Sequence, residues 1–402
     1  MNLPQVFMIG WEFPPHNSGG LGTACHGLIT SLSNLNIPQT FVLPKALPLG
    51  AAYLQFCSPT LPNVQQIHIN MELKPYSGMT REQSVYLKRK PSAGSMIEDA
   101  YAYAEVVGHM AARFPHNLIH SHDWMTYPAA FAANNVSHMP TILHVHSTEF
   151  DRTLNGAVNQ QIAEIEYESL QRADQIIAVS NYTKQMVANK YAVDPNKIAV
   201  VHNGVDLSLQ RQIYISNEEL QSFAKGRKLV IFMGRLTAQK GPDYFIAIAS
   251  QIARAVPNVL FVVAGDGDMY NQIIMQSAQQ NLTGKLLYAG FLRDRQREFL
   301  YRRADLFIMP SVSEPFGIVA LEAAAAYTPI IISKQSGVSE VMPFALSANY
   351  WDTDDLAGKA ITILQNPELA QSLVNQGLGA VENINWHQAA QKCVHIYNQV
   401  LG

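Results

Sequence analysis

The sequence predicts an α/β protein built from two doubly wound domains. Three observations carry this. Short runs rich in Val and Ile alternate with longer helical patterns, and the alternation restarts after residue 227. The 402 residues also suffice for two domains of the usual size, about 100–200 residues each.

In the first half, strands are expected over residues 6–10, 40–43, 64–69, 118–120, 141–146, 175–180 and 198–202. Helices are expected over 20–34, 96–113, 159–172 and 182–191. Strands that are apolar throughout and separated by helices belong to a parallel sheet covered on both faces. The stretch 203–227 is polar and opens on the turn residues Asn203-Gly204-Val205-Asp206, which marks it as the linker. Strands then follow over 229–234, 260–265, 286–290, 306–310 and 330–333. Helices follow over 243–255, 268–280, 295–302, 318–326, 354–364 and 367–376. At the end, Trp386, Ala389, Ala390, Cys393, Tyr397, Val400 and Leu401 fall at helical spacing and predict an amphipathic helix.

Composition narrows the function classes. Hydrophobic residues make up 48% and charged residues 15%, enough apolar material for two large cores. The net charge of −3 carries no long run of one sign, so no nucleic-acid partner is indicated. The one compact basic cluster, Lys88-Arg89-Lys90, reads as a solvated loop. Cys25, Cys57 and Cys393 are far apart and lack metal spacing. That argues for a reducing compartment, hence a cytoplasmic setting, and against a disulfide framework. The N-terminus lacks the basic start of a signal peptide, and no stretch has the ~18 apolar residues of a spanning helix. Peripheral membrane association stays open.

Ligands of doubly wound sheets bind outside the carboxyl ends of the strands, so the search for a site concentrates there. The loop Pro14-Pro15-His16-Asn17-Ser18-Gly19-Gly20-Leu21-Gly22 precedes the first helix. Its glycines allow close approach to an anion at the helix N-terminus, although a plain turn explains them equally. His120-Ser121-His122-Asp123-Trp124 and His144-Val145-His146-Ser147-Thr148-Glu149 end two strands. Hydrogen bonding to sugar hydroxyls suits the His, Asp and Trp there better than a metal, because no carboxylate sits at a familiar ligand spacing. His120 and His144, inside apolar runs, read as buried core histidines.

Gly234-Arg235-Leu236-Thr237-Ala238-Gln239-Lys240-Gly241 follows the first strand of the second half. Two cations beside glycines suit a diphosphate, since Arg can grip two oxygens and Lys adds a point charge. Ser313-Glu314-Pro315-Phe316-Gly317-Ile318-Val319-Ala320-Leu321-Glu322 leads into a helix whose first amides, at Phe316, Gly317 and Ile318, are free to meet phosphate. Glu314 and Glu322 are separated by ~12 Å of helix, too far to share a proton but suited to two ends of one long ligand. Glu322 sits in an apolar helix and requires a partner. In Gly265-Asp266-Gly267-Asp268, Asp266 and Asp268 have the spacing of an Asp-x-Asp metal motif, and Asp268 is read as a helix N-cap instead.

Taken together, these motifs resemble the family 4 glycosyltransferases of the GT-B fold, close to the bacterial glycogen and starch synthase-like group. The resemblance spans nearly the whole chain and rests most on Glu314 and Glu322 in the Ser-Glu-Pro-Phe-Gly setting. It implies two Rossmann-like domains facing across a deep cleft. Residues 1–205 with 385–402 would form an acceptor-side domain, and 206–384 a nucleotide-sugar donor domain. It also implies a retaining transfer of a hexose, with glucose expected, from ADP-glucose or UDP-glucose to a carbohydrate hydroxyl such as that of an α-glucan. No cofactor or metal is implied. Among catalytic residues, Arg235 and Lys240 would neutralise the diphosphate, Glu314 would contact the transferred sugar, and His146 would lie near the reacting carbon. Gly19, Gly20, Gly265, Gly317, Ile318 and Glu322 would bind the donor, Glu322 through the ribose. Asp123 and Asn203 are further sugar or acceptor contacts. One departure stands out: bacterial glycogen synthases usually carry Lys two residues before the double glycine, where this chain has Asn17. A lipid-linked or protein acceptor, or a GT-B epimerase or hydrolase, remains an alternative reading.

Overall fold

The computed structural model describes residues 3–14, 19–45, 54–57, 61, 63–70, 96–153, 156, 158–207 and 212–402. Pro15, His16, Asn17, Ser18 and the cluster Lys88-Arg89-Lys90 lie outside the described residues. The chain divides into two compact units. One takes the described residues up to Gly204 together with Trp386–Gly402, and the other takes Val205–Asn385.

The first unit runs β1 (Val6–Ile9), α1 (Gly20–Asn34), β2 (Gln39–Lys45), β3 (Leu54–Cys57), β4 (Val64–Asn70), α2 (Met96–Ala111), β5 (Leu118–His122), α3 (Tyr127–Ser137), β6 (Thr141–Val145), α4 (Glu149–Thr153), α5 (Gln160–Arg172), β7 (Gln175–Ala178), α6 (Asn181–Tyr191) and β8 (Ile198–Val200). Its sheet has the order β3-β4-β2-β1-β5-β6-β7-β8. Every pairing is parallel except that of β3 with β4. All residues of β1, β5 and β6 are buried; β1 reads as an unbroken apolar run, whereas β5 and β6 carry buried polar residues, His120, Ser121, His122, Thr141 and His144.

The second unit runs α7 (Asn217–Ser222), β9 (Lys228–Met233), α8 (Pro242–Ala255), β10 (Val259–Ala264), α9 (Tyr270–Gln279), β11 (Leu286–Gly290), α10 (Asp294–Arg303), β12 (Leu306–Met309), α11 (Ile318–Ala325), β13 (Ile330–Ser333), β14 (Leu346–Ala348), α12 (Thr353–Gln365) and α13 (Pro367–Val381). The strand order is β11-β10-β9-β12-β13-β14, all parallel. In chain order this is 3-2-1-4-5-6, the doubly wound arrangement whose winding reverses between β9 and β12. Phe232, Phe245 and Phe261 anchor the core between the sheet and its helices. Last comes α14 (Trp386–Leu401), which returns to the first unit. Its Trp386 ring lies so close to α1 that a Cβ on Gly27 would fall 2.2 Å from the ring, so only glycine fits there.

Several expectations need correcting. Asp268 is not an N-cap: α9 begins at Tyr270, and Met269 occupies the cap position. The stretch expected to be a linker carries α7, which Ser216 and Glu219 close with a capping box. Arg302 and Arg303 then hold the carbonyls of Ile213 and Phe223 against the second unit. The Ala-rich α3, the short α4 and the edge strands β3 and β14 were not expected.

Candidate active site

In the second unit, the loops after β9, β10, β12 and β13 meet at the carboxyl end of the sheet. Val312 and Ser313 donate their amides to the Gln239 carbonyl at 2.9 and 3.4 Å, tying the loop after β12 to the loop after β9. The Glu314 amide donates to the Gln335 carbonyl, and the Gly337 amide returns a bond to the Glu314 carbonyl, both at 2.9 Å. Gly265 has φ 141°, and a Cβ there would sit 1.8 Å from the Gly234 carbonyl oxygen. The loop after β10 can therefore cross the loop after β9 only as glycine.

This framing brings Arg235, Lys240, Gly265, Glu314, Gly317 and Ile318 of this unit toward the reversal of winding. Lys240 donates to Glu314 Oε2 at 2.7 Å, and Ser311 Oγ donates to the same oxygen at 3.2 Å. Glu314 itself is buried. Arg235, earlier on the same loop, reaches Gln239 Oε1 at 3.4 Å through Nη2. Gly317 caps α11 and Ile318 opens it. Four residues into that helix, Glu322 is buried, as its apolar neighbours foretold, and its partners lie on α10. Arg297 Nη1 is 3.1 Å from Oε1, and the Tyr301 hydroxyl donates to Oε2 at 3.1 Å. Arg297 and Tyr301 were not legible as site residues. Their spacing puts them on one face of α10, but only packing shows that this face meets α11.

The first unit offers a second constellation. Register places His122 opposite His144, and the neighbouring rings follow. His120 Nε2 lies 3.2 Å from His144 Nδ1, and His122 Nδ1 lies 2.9 Å from His146 Nε2. His120 Nδ1 meets the Tyr397 hydroxyl of α14 at 2.7 Å. β5 continues through His122, two residues beyond the expected end, which is why the rings share a face. Asp123 stands at φ 61°, and its Oδ1 accepts the amides of His146 at 2.7 Å and Ser147 at 3.2 Å. It thereby fixes the turn that carries His146. Asn203 is buried just before the chain passes to the second unit. At Gly19 and Gly20 a Cβ would meet no described atom within 4 Å, so packing among the described residues leaves their backbone open to approach. Two sets, Cys25/His122/His146 and His120/His122/His144, bring possible metal-ligand atoms within 4.8 Å of one another. The short ring-to-ring contacts engage several of those nitrogens with each other instead.

Burial pushes all four rings toward the neutral form, His120 and His146 down to about 3 and His122 and His144 well below the usual 6.5. From pH 6.5 down to about 3, the unfolded chain therefore binds more protons than the folded chain, and acid favours unfolding. Asp123 acts in the opposite sense. Burial raises its carboxyl from 3.8 to about 7, so in that window the folded chain holds the extra proton and loses stability as pH rises. Glu166, Asp243 and Glu298, also raised by burial, act with Asp123, and His116, lowered by burial, acts with the rings. Between pH 7 and 5 the rings, all held far below 6.5, dominate. The melting temperature at pH 5 is expected to fall at least ~5 °C below that at pH 7. A melting temperature that is flat or higher at pH 5 would show that the rings are not held neutral.

Comparison with known families decides what this arrangement belongs to. The profile described as Glycosyltransferase Family 4 matches residues 19–209, and the one described as Glycosyl transferases group 1 matches residues 216–378. The chain belongs to the family 4 glycosyltransferases. As a glycosyltransferase it is similar to the glycogen synthase of Mycobacterium tuberculosis, 24% identical over 98% of this chain and 94% of that protein. Among solved structures it is similar to a sucrose-phosphate synthase from Thermosynechococcus elongatus, with a TM-score of 0.80 at 19% identity, covering 98% of this chain and 99% of that one. An Anabaena protein, HepE, solved with UDP-glucose, has a TM-score of 0.70 at 17% identity, covering 98% of this chain and all (100%) of that one. At those identities the structural likeness is one of fold, and it gives this glycosyltransferase the GT-B architecture. No helix among the described residues is long and apolar enough to cross a membrane.

Proposed function

We propose that the protein transfers glucose, with retention, from ADP-glucose or UDP-glucose to a carbohydrate hydroxyl, an α-glucan being the first candidate. The observation that carries this reading is the Lys240–Glu314 pair at the reversal of winding, with Arg235 on the same loop. Charge accumulates on the departing diphosphate, and fixed cations and helix-start amides aimed at it supply the main stabilisation. Arg235, Lys240 and the amides of Gly317 and Ile318 take that role, and Gly265 holds the loops in register. When diphosphate draws Lys240, Glu314 is released to accept from hydroxyls of the transferred sugar. Glu322, held by Arg297 and Tyr301, accepts from the ribose. Gly19 and Gly20 are assigned to the donor, His146 to the transferred sugar, and Asp123 and Asn203 to supporting sugar or acceptor contacts. Two cations at the diphosphate make a metal unnecessary, and none is proposed. Buried free thiols at Cys25 and Cys393 suit a cytoplasmic setting.

The reading is tested by nucleoside diphosphate release from UDP-, ADP- and GDP-sugars, with and without a maltooligosaccharide. Release from one glucose donor, accelerated by the oligosaccharide, is the expected result. Donor-specific release that ignores the oligosaccharide would redirect the acceptor to a lipid-linked or protein hydroxyl. No release from any donor would overturn the transferase assignment.

A further inference from the structure

His146 has two ring nitrogens, and which one carries the proton decides whether it gives or takes a hydrogen bond at each edge. The structure holds information on this point. His122 lies between His146 and Met8, with Nδ1 2.9 Å from His146 Nε2 and Nε2 3.0 Å from the Met8 sulfur. A thioether sulfur has no proton to give and can only accept. If His122 carried its proton on Nδ1, its bare Nε2 would face the sulfur lone pairs at 3.0 Å, which is repulsive. With the proton on Nε2, that contact becomes N–H to sulfur and Nδ1 becomes an acceptor. The proton between the two rings must then belong to His146 Nε2, leaving the His146 Nδ1 with its lone pair. Burial keeps both rings neutral, so no second proton upsets this count. The turn bearing His146 is fixed separately, through its own amide and that of Ser147 on Asp123.

We propose that Met8 and His122 are positioning residues that lock His146 as the Nε2–H tautomer, so that it presents an acceptor, Nδ1, to a hydroxyl of the transferred sugar. This rests on the assignment of His146 to that sugar. A sugar hydroxyl would then donate to His146 while remaining free to accept elsewhere. Selectivity follows: a donor lacking that hydroxyl, or carrying fluorine in its place, has no proton to give and leaves Nδ1 unpaired.

Long-range ¹H–¹⁵N correlation spectra of histidine-labelled protein read the tautomers directly, with resonances assigned by single substitution. A protonated Nε2 and a bare Nδ1 are expected on both His122 and His146. A protonated Nδ1 on His146 in the wild-type protein would overturn the proposal, whatever the kinetics. For the role in turnover, H122L removes the acceptor, and kcat is expected to fall about tenfold with the donor KM unchanged, the scale of one lost hydrogen bond. H122N places an amide oxygen near the old Nδ1 and should recover most of that loss together with the Nε2–H signature. Equal losses in H122L and H122N, with His146 still protonated on Nε2 in both, would refute positioning through the acceptor. The underlying reading fails separately: wild-type turnover in H146Q would remove His146 from the sugar while leaving the tautomer result intact.

Discussion

Replacing Lys240 by alanine is expected to lower kcat by about 10²–10³-fold, the range seen when one preorganised charge-stabilising group is lost. In the ligand-free protein the ammonium is held 2.7 Å from Glu314 Oε2, at the end of the two loops that bracket the reversal of winding. A diphosphate arriving there draws the ammonium away from Glu314, so the cation is in place before charge builds on the leaving group. The substitution has a second effect. Glu314 is 5% exposed, and without Lys240 its charge keeps, among the described side chains, the Ser311 hydroxyl. Removing one partner of a buried pair costs up to about 3–5 kcal/mol. The lower end applies here, because the Lys240 side chain is itself 20% exposed. The two effects separate in K240A/E314Q, where the stranded charge is gone. The melting temperature should return toward that of the wild type while nucleoside diphosphate release stays low. A K240A protein that turns over at the wild-type rate would sink the assignment of Lys240 to the diphosphate.

Gly265→Ala is expected to be the most damaging single-methyl change in the second unit, destabilising it by more than about 3 kcal/mol or displacing the loop that bears Arg235. The added Cβ would lie 1.8 Å from a backbone oxygen, that of Gly234, and no side-chain rotation relieves such a contact. The Gly265 amide is also held to the Gly290 carbonyl at 2.7 Å, so the loop cannot simply retreat. Gly284 provides the control. It too has positive φ, at +77°, but a Cβ there meets nothing within 4 Å. Gly284→Ala should cost only the left-handed backbone penalty, about 1–2 kcal/mol, and leave turnover unchanged. Chemical denaturation of the two variants side by side measures the difference. Equal costs would mean that the Gly234–Gly265 crossing is looser than described.

Much of this was legible in the chain because parallel strands buried on both faces leave short Val- and Ile-rich runs, and these alternate with longer helical patterns. The donor-side string from Glu314 to Glu322 was legible for a related reason. A Glu inside an apolar helix is costly unless it meets a partner, and cations beside glycines at strand ends suit an anion. What stayed hidden depended on packing between elements. Arg297 and Tyr301 look like ordinary residues of a charged helix until α10 is laid against Glu322. The four histidines were visible as two pairs, but their contact follows from the register of β5 on β6 and from β5 running on to His122. α3 escaped because its alanines, apolar on more than one side, blur the helical period. Asp268 misled because an Asp before a helical pattern is a good cap in general, whereas here the chain spends another turn before α9 begins.

The placement of α14 also bears on the order in which the protein is made. Val205–Asn385 is continuous in the chain, whereas the first unit is split around it. During synthesis, every residue of the second unit has therefore been translated before the helix that completes the first. Until Trp386–Leu401 is available, α1 lacks the indole that fills the space beside Gly27, and His120 lacks the Tyr397 hydroxyl. The half that begins first is thus the half that finishes last. A nascent chain carries its first-made sheet with an open seam until residues 386–401 have been made.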